Sequence, residues 1–216
     1  MIDQILELDR DITLAINGSN SLALDAFALI VTSTIAWIPI ALYMLWYVYR
    51  KNGLKTMLLT IGGILLCVLI ADTVSSGIFK PLVARWRPSR DPEIMYLVDI
   101  VNDYRGGRYG FFSSHASNTC SVATFLALQF CSRRLCVMFV LFTLINCWSR
   151  MYLGVHYFGD IFVGLCFGVL VGLVVFKLYS RLGGTTVADN KGCVFVANLS
   201  TYVAFLLLIP FVAASF

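Results

Sequence analysis

Residues 158–179 read FGDIFVGLCFGVLVGLVVFKLY, an almost uninterrupted apolar run. A helix needs about 20 mostly apolar residues to cross the hydrocarbon core of a bilayer, which is about 30 Å thick. Five further segments have the same character, at residues 22–49, 54–79, 114–130, 135–148 and 194–216. All six are predicted to be helices, because an open strand would leave unpaired backbone groups in hydrocarbon.

Two of these segments, 114–130 and 135–148, are short for a helix that crosses a bilayer. We expect them to span either by extending into the polar residues beside them or because neighbouring protein covers them. The resulting prediction is an all-α fold, a six-transmembrane-helix bundle that forms a single domain over residues 1–216.

Composition supports a membrane protein. Hydrophobic residues make up 59% of the 216 residues and charged residues only 13%, against about 25% charged residues in soluble domains. The mean hydropathy is +0.84. The formal net charge of +4 fits nucleic acid, an anionic membrane surface or a phosphorylated substrate, so the positions of the basic residues must decide between these.

The N-terminal part has its own pattern. No cleavable signal peptide is expected, because residues 1–11 carry acidic side chains in place of a positively charged start. The apolar residues of this part fall mostly at helical spacing, and they are Ile2, Ile5, Leu6, Leu8, Ile12 and Ile16. This spacing predicts a short N-terminal amphipathic helix that lies in the membrane interface.

Seven cysteines are present, at positions 67, 120, 131, 136, 147, 166 and 193. None is part of a CxxC pair, and most lie within or at the ends of apolar segments. They are interpreted as small packing residues, and neither a metal site nor a disulfide framework is predicted.

Basic residues are concentrated in three of the connections between apolar segments. They are Arg50, Lys51 and Lys55, then Arg133 and Arg134, then Lys177, Arg181 and Lys191. The positive-inside rule makes the side with these connections cytoplasmic. Both termini, the loop 80–112 and the turn 149–157 are then expected to face away from the cytoplasm.

Three polar clusters lie on that outer side of the predicted bundle. Residues 80–88 read KPLVARWRP, residues 112–115 read FSSH, and residues 149–160 read SRMYLGVHYFGD. The chain has two histidines, and each lies in one of these clusters. The predicted topology therefore brings three chemically active stretches to one membrane surface.

These clusters contain what phosphoryl transfer requires. The transferred group carries negative charge on its equatorial oxygens, and Lys80, Arg87 and Arg150 can hold those oxygens. A neutral imidazole can act as the nucleophile. Asp160 follows His156 by four residues, one helical turn, so its carboxylate can orient the ring.

Other residues near these clusters have open roles. His115 can protonate the leaving oxygen. Ser113, with the backbone N–H groups of the helix that begins near it, can bind a phosphate oxygen, and it is also suited to act as an ordinary helix N-cap. Asp72, about two turns before Lys80, is expected either to support the basic cluster or to face a polar cavity.

The spacing K-x6-R-P, then S-x-H, then S-R-x5-H-x3-D resembles the type 2 phosphatidic acid phosphatase superfamily. Its members include phosphatases of undecaprenyl pyrophosphate, phosphatidylglycerophosphate and lipid A, and soluble acid phosphatases and vanadium haloperoxidases share the site. The motifs extend from Lys80 to Asp160. Arg85 and Arg90 fall outside this spacing and are interpreted as headgroup or loop charges.

The resemblance implies a role for each motif residue. His156 would form a phosphohistidine intermediate, Asp160 would orient it, and His115 would be the acid and then the base that activates water. The implied phosphate-binding residues are Lys80, Arg87, Ser113, Ser114 and Arg150, and no metal or cofactor is implied. The chain has Phe112 and Ser114 where the second motif usually has Pro and Gly, so the donor geometry is expected to differ there.

The expected activity is hydrolysis of a phosphate monoester or pyrophosphate on an envelope lipid. Undecaprenyl pyrophosphate, a lipid A-type glycolipid and a phosphatidate-type lipid are open alternatives. The alternative function is a non-catalytic protein that binds or transports a phosphorylated lipid, which would not need a nucleophile, an orienting carboxylate and a separate acid.

Partners and location follow from the same reasoning. The expected partners are the lipid substrate and membrane lipids, with no nucleic acid, because the chain has no long basic face. The sequence does not indicate an oligomeric state. The expected location is a bacterial inner membrane, with the active site facing the periplasm or the outside.

Overall fold

The computed structural model describes residues 2–187, and the predicted segment 194–216 lies outside them. This part of the chain is helical, without a β-strand, which confirms the predicted all-α class, while the count of six membrane-spanning helices stays a prediction. Its α-helices are α1 (Ile2–Ile16), α2 (Leu22–Thr32), α3 (Ile38–Asp72), α4 (Lys80–Val83), α5 (Ser114–Phe130), α6 (Arg133–Tyr152) and α7 (Phe158–Arg181). Shorter turns are 3₁₀-helical at Thr34–Trp37, Pro88–Arg90 and Val101–Asp103, and π-helical at Thr73–Phe79.

Within residues 2–187, three helical stretches are long and apolar enough to cross a membrane, namely Thr34–Val83, Arg133–Tyr152 and Phe158–Arg181. α6 exceeds the predicted segment 135–148 because it continues through the motif residue Arg150. α5 keeps the predicted limits, and it packs against α3, α6 and α7. Extension therefore brings α6 to a length that can cross a membrane, whereas α5 stays short and is covered by neighbouring helices.

The predicted segment 22–49 is not one helix. α2 ends at Thr32, and Ser33 has extended backbone angles (φ −78°, ψ 124°) before a 3₁₀ turn leads into α3. The indole N–H of Trp37 donates to the Val31 carbonyl oxygen at 2.9 Å, which satisfies one acceptor left free at the end of α2. Hydropathy does not detect this break, because the residues on both sides of it are apolar.

α3 turns back on itself at Gly53, whose backbone angles (φ 80°, ψ 178°) are accessible to glycine. Met44 and Ile64 line the same cavity, although in a straight helix they would be about 30 Å apart. The two halves of α3 therefore pack beside each other, as expected for the separate segments 22–49 and 54–79.

The π-helical turn Thr73–Phe79 leads directly into α4, which ends where Ala84 adopts a left-handed backbone (φ 51°). Lys80 Nζ donates to Ser76 Oγ at 2.8 Å, and Ser76 Oγ donates to Asp72 Oδ1 at 3.1 Å. Asp72 thus supports the basic cluster through Ser76, which is the first of its two predicted roles.

α5 and α7 approach closely along a row of glycines on α7. These are Gly164, Gly168 and Gly172. A methyl group added at Gly164 would lie 2.7 Å from the Ser113 carbonyl oxygen. Small residues at this spacing let membrane helices pack backbone to backbone. The packing sets the start of α5 beside the start of α7, where the Ser113 N–H donates to the Asp160 carbonyl oxygen at 3.0 Å.

α1 docks on the protein through buried polar residues as well as through the apolar Leu14 and Ile16. Asp9 and Thr13 are buried, and Asn17 bonds the carbonyl oxygens of two distant segments. The four-residue spacing puts all three on one face. Ile5 and Leu8 are exposed on another part of the surface. The predicted N-terminal helix is present, and its place in the membrane interface stays a prediction.

The main apolar core lies in the half of the bundle away from the polar clusters. It is centred on Phe125 and Phe130 near the end of α5, with Val48 of α3 and Val175 of α7 packed against them. The half that contains the motif residues has smaller apolar clusters, and buried polar contacts lie between them.

Candidate active site

The candidate site lies at one end of the bundle, between the start of α5, the end of α6 and the start of α7. The turn between α6 and α7 carries His156 into it. The charges of Arg87, Arg150, Lys80 and His115 all act on His156, so the structure brings these residues together. Their catalytic roles stay predictions.

His156 is 1% exposed and lies beside the predicted orienting carboxylate. Its Nδ1 is 3.4 Å from Asp160 Oδ2, and Nδ1 has no hydrogen-bond partner at ordinary geometry. Asp160 Oδ2 also accepts from the Tyr157 backbone N–H at 3.1 Å. Hydrogen bonds between catalytic groups are often long in a protein without substrate, so the distance of 3.4 Å is compatible with the predicted orienting role of Asp160.

The contacts of His156 define its tautomer. Arg87 Nη1 lies 3.2 Å from His156 Nε2, and a guanidinium N–H can only donate, so Nε2 carries the lone pair. The proton of the neutral ring is then on Nδ1, facing Asp160. Burial, followed by the charges of Arg87 and Arg150, lowers the pKa of His156 well below its usual value. The ring is therefore neutral, with its lone pair facing the cations.

Arg87 is held by backbone carbonyl groups rather than by an acid. Its Nε donates to Tyr109 O at 3.2 Å and its Nη1 to Val155 O at 3.1 Å. Burial and then the charge of Arg150 lower the pKa of Arg87 to about 10, so it stays protonated near neutral pH. Gly106 leaves room for it, because a methyl group there would lie 2.9 Å from Nη1.

Arg150 lies near the end of α6 and is 3% exposed. Its Nη1 donates to Thr32 Oγ1 at 2.6 Å and to the Tyr104 hydroxyl at 3.0 Å. Its Nε is buried without a hydrogen-bond partner. A buried unpartnered donor on a charged group costs free energy, so a ligand oxygen is favoured beside it.

The start of α5 contributes the second motif. Ser113 is the N-cap, and its Oγ accepts from the backbone N–H three residues later at 3.3 Å. Ser114 Oγ accepts from Lys80 Nζ at 3.0 Å. His115, in the first turn, hydrogen bonds to the backbone of Thr32. Ser113 Oγ thus caps α5 as an acceptor, which is compatible with its predicted phosphate contact, and Ser114 has a side-chain role that glycine could not have.

Three positive charges at the site lack a counter-charge. Lys80, Arg87 and Arg150 contact hydroxyl and carbonyl oxygens. Within residues 2–187 none of the three forms an ion pair. Three uncompensated cations around a neutral imidazole favour a bound dianion, and phosphate has that charge.

Sequence reasoning misjudged Arg85. Its interpretation as a headgroup or loop charge is wrong, because its Nη1 donates to Asp160 Oδ1 at 2.9 Å and its Nη2 to Asp9 Oδ2 at 2.6 Å. The available signal was the R-x-R spacing, since alternate residues of an extended segment share a face. Arg90, by contrast, donates to the Gly106 carbonyl at the surface, as expected for a loop charge.

Gly110 also escaped the sequence reasoning. A methyl group added there would lie 2.9 Å from Asp160 Oδ2 and 3.6 Å from His156 Nδ1. The loop backbone therefore passes directly over the His156–Asp160 pair. Nothing in the local sequence separates this glycine from its neighbours, because the contact depends on how the loop folds back.

Comparison with known proteins identifies the family to which this chain belongs. Residues 61–183 match the PAP2 superfamily. The chain is 35% identical over 201 residues to the lipid A 4'-phosphatase of Porphyromonas gingivalis, covering 91% of this chain and 85% of that protein. It is 35% identical over 198 residues to the lipid A 4'-phosphatase of Bacteroides thetaiotaomicron, covering 89% and 88%. The chain belongs to the PAP2 superfamily, which confirms the family predicted from the motifs.

Two solved structures share the fold. The transmembrane PAP2-type phosphatidylglycerolphosphate phosphatase from Bacillus subtilis has a TM-score of 0.62 at 19% identity, covering 82% of this chain and 87% of that one. LpxE from Aquifex aeolicus has a TM-score of 0.57 at 22% identity, covering 80% and 94%. The family and the relatives make the chain a phosphatase, and they support a lipid phosphatase over a protein that only binds or transports lipid.

Proposed function

We propose that this protein hydrolyses the phosphate monoester of a lipid A-type envelope lipid through a phosphohistidine at His156. The observation that carries the chemistry is the orientation of the buried His156 ring, with Nε2 3.2 Å from Arg87 Nη1 and Nδ1 3.4 Å from Asp160 Oδ2. Relatives named lipid A 4'-phosphatases, each matched over most of this chain, favour that substrate over undecaprenyl pyrophosphate and phosphatidate.

Substrate binding must move Arg87. Reacting atoms approach to about 3–3.5 Å before reaction, and Arg87 Nη1 now lies at that distance from His156 Nε2. The phosphorus therefore takes the place of Nη1, and the guanidinium shifts to grip the equatorial oxygens. Arg150 Nε and Lys80 Nζ supply further donors to the same oxygens.

In the first step His156 Nε2 attacks phosphorus. The N–P bond forms while the ester P–O bond breaks, and the electron pair leaves on the lipid oxygen, which takes a proton from His115. The phosphate dianion between the cations favours the protonated form of His115, so substrate binding itself generates the acid. Asp160 stabilises the positive charge that develops on the His156 ring.

In the second step His115 takes a proton from water, and the oxygen attacks phosphorus. The P–N bond breaks, its electron pair returns to Nε2, and inorganic phosphate leaves. His156 is neutral again and the acid form of His115 is restored. Lys80, Arg87 and Arg150 hold the transferring oxygens in both steps, with Ser114 assisting through its contact with Lys80.

We extend the proposal to a single domain with six membrane-spanning helices, in a bacterial inner membrane with the site outside. Arg133 and Arg134 lie at the start of α6, and Arg181 lies at the end of α7. The site is at the opposite ends of these two helices. The positive-inside rule then assigns the site to the periplasmic side. Impermeant thiol reagents should label a cysteine placed at Arg90 in intact cells but not one at Lys51, in a background without exposed cysteines.

The activity test is phosphate release by purified protein in EDTA from lipid A species, prenyl pyrophosphates, phosphatidate and phosphatidylglycerophosphate. Lipid A phosphate should be preferred by tenfold or more, which is about 1.4 kcal/mol in the barrier. His156→Ala and His115→Ala should each remove most turnover. A variant with near-native turnover at either position would refute its assigned role, and a preference for another lipid would refute the proposed substrate.

A further inference from the structure

The first turn of α7, which carries Asp160, is capped by α1. The first backbone N–H groups of a helix have no partner within it. The N–H of Phe158 donates to Thr13 Oγ1 at 3.1 Å, and that of Gly159 donates to Asp9 Oδ1 at 2.7 Å. A residue about 150 positions earlier in the chain therefore completes the helix start that positions Asp160.

Arg85 joins the two carboxylates of this region. It donates to Asp160 Oδ1 at 2.9 Å and to Asp9 Oδ2 at 2.6 Å, and its Cζ lies 4.0 Å from the centre of the Tyr157 ring. The side chains of Asp160 and Asp9 are 0% and 9% exposed, and that of Arg85 is 22% exposed. One guanidinium thus balances two buried acids.

The approach of Asp9 depends on a glycine in the third motif. A methyl group added at Gly159 would lie 3.0 Å from Asp9 Oδ2. A side chain at this position would push the α1 carboxylate away from the position in which it contacts both the α7 backbone and Arg85. Asp9 and Asp160 would repel each other if a neutral residue replaced Arg85.

The charge of Asp160 is set by groups from several elements. They are Asp9 from α1, Lys80 from α4, Arg85 and Arg87 from the loop that follows, and His156 from the turn before α7. Of these, Arg85 makes a direct hydrogen-bonded ion pair with Asp160. Asp160 Oδ1 accepts from Arg85, so Asp160 Oδ2 is the oxygen that faces His156.

We propose that Arg85 and Asp9 are positioning residues for catalysis. Arg85 keeps Asp160 ionised and fixes its rotation, so that Oδ2 faces the Nδ1–H of His156, and Asp9 holds Arg85 and the start of α7 in place. The N-terminal helix α1 is then part of the catalytic apparatus. The kinetic readout of this inference rests on the proposed phosphatase function, whereas the spectroscopic readout below does not.

The kinetic test uses Arg85→Gln, Arg85→Lys and Asp9→Asn. Outer-shell partners of this kind typically contribute about 10- to 100-fold, so Arg85→Gln should lower kcat by about that factor with little change in KM. The acidic limb of its pH profile of kcat, where the rate falls as pH is lowered, should move to higher pH. Without the charge of Arg85 beside it, Asp160 takes up a proton more readily. Arg85→Lys, which keeps the charge, should leave the limb near its wild-type position.

Asp9 allows a test of sign. Asp9→Asn removes a negative charge from beside Asp160, so its acidic limb should move to lower pH although kcat falls. Combined with Arg85→Gln, it should return the limb part of the way towards wild type, because one of the two unbalanced acids is gone. If Arg85 and Asp9 only stabilised the fold, the acidic limb of the double variant would not return towards wild type. Controls are Arg10→Gln on α1 and Arg90→Gln in the loop, which should match wild type.

The second readout does not need turnover. Since the chain has two histidines, ¹⁵N-histidine spectra report few ring nitrogens. Wild type should show His156 with its proton on Nδ1, and Arg85→Gln should shift part of that population to the other tautomer. If wild type shows this tautomer but hydrolyses no lipid, the proposed phosphatase function is refuted, whereas the positioning of His156 by Arg85 and Asp9 is retained.

Three outcomes would refute the positioning role of Arg85 and Asp9. They are an unchanged acidic limb and tautomer in Arg85→Gln, a change in KM alone, or limbs that move the same way in Arg85→Gln and Asp9→Asn. If Arg85→Gln does not fold, the direction of the Asp9→Asn shift and the Arg85→Lys profile decide the question by the same criteria.

Discussion

The contact between α5 and α7 gives a quantitative prediction for Gly164→Ala. The added methyl group would lie 2.7 Å from the Ser113 carbonyl oxygen and 3.1 Å from Ala116 Cβ, whereas ordinary contact begins at 3.4 Å. The two helices must therefore separate by about 0.7 Å at this point. The displaced segment begins the helix that carries His115, so the acid moves relative to Asp160 and His156.

Two effects of this displacement can be estimated. Overpacking of this kind destabilises a fold by about 1–3 kcal/mol. Misplacement of a catalytic group by 1 Å can cost about 100-fold in rate. We therefore expect kcat to fall by about 10- to 100-fold, equivalent to about 1.4–2.7 kcal/mol in the barrier. KM should change less, because the three phosphate-binding cations are not on the displaced segment.

The assay is initial phosphate release in detergent over a range of lipid concentrations, with the thermal midpoint measured on the same samples. Gly62→Ala is the matched control, because a methyl group at this helical glycine meets nothing within 4 Å. It should keep the wild-type kcat and thermal midpoint. A Gly164→Ala variant with wild-type kcat would refute the reasoning that the α5–α7 contact sets the geometry of the site.

Three further predictions follow from the same geometry. Arg87→Gln should lower kcat/KM by about 100-fold or more in the phosphate-release assay, the usual loss for a donor to developing charge, and Arg87→Lys should recover part of it. Gly110→Ala should lower kcat by about tenfold, because its methyl group would lie 2.9 Å from Asp160 Oδ2, while Gly107→Ala, with nothing within 4 Å, should not. The pKa of His156 is lowered from its usual 6.5 in the folded protein, so the unfolded chain takes up a proton that the folded chain does not as pH falls below that value. Thermal unfolding from pH 7.5 to 5, compared with His156→Asn, should therefore show wild type losing more stability on acidification.

Distinct results would contradict each of these. An Arg87→Gln variant with unchanged kcat/KM would show that Arg87 does not bind the phosphate. Equal kcat in Gly110→Ala and Gly107→Ala would mean that the loop does not press on Asp160. Parallel loss of thermal stability in wild type and His156→Asn would mean that His156 is not buried in its neutral form.

Many residues of the candidate site could be predicted from the sequence, because they lie in short motifs with fixed spacing. Asp160 lies four positions after His156, and a helix start brings the two side chains together regardless of the rest of the fold. Lys80, Arg87 and Arg150 could be grouped because the apolar segments around them fix which ends share a membrane surface. The limits of α5 were also predictable, because the N-cap Ser113 marks its start.

Other features were beyond reach because they depend on segments far apart in the chain. Arg85 meets Asp9 across 76 positions and Asp160 across 75. Neither contact produces a periodic pattern in the sequence, so Arg85 could not be distinguished from an ordinary charged residue in a loop. The break at Ser33 was hidden for a different reason, because hydropathy averages over a window and does not register a single residue with extended backbone angles.

The sequence by itself predicted a helical membrane protein, and it predicted that two histidines, one acid and three cations lie in one cluster, where the structure brings them together. Burial of apolar runs and the period of the helix are local properties, and they act before any tertiary contact exists. Only the tertiary structure decided which acid is paired, which nitrogen of His156 is free and how α1 enters the site. Those choices follow from charges and donors brought within about 3 Å by packing, a distance at which electrostatic energy in a buried setting is large.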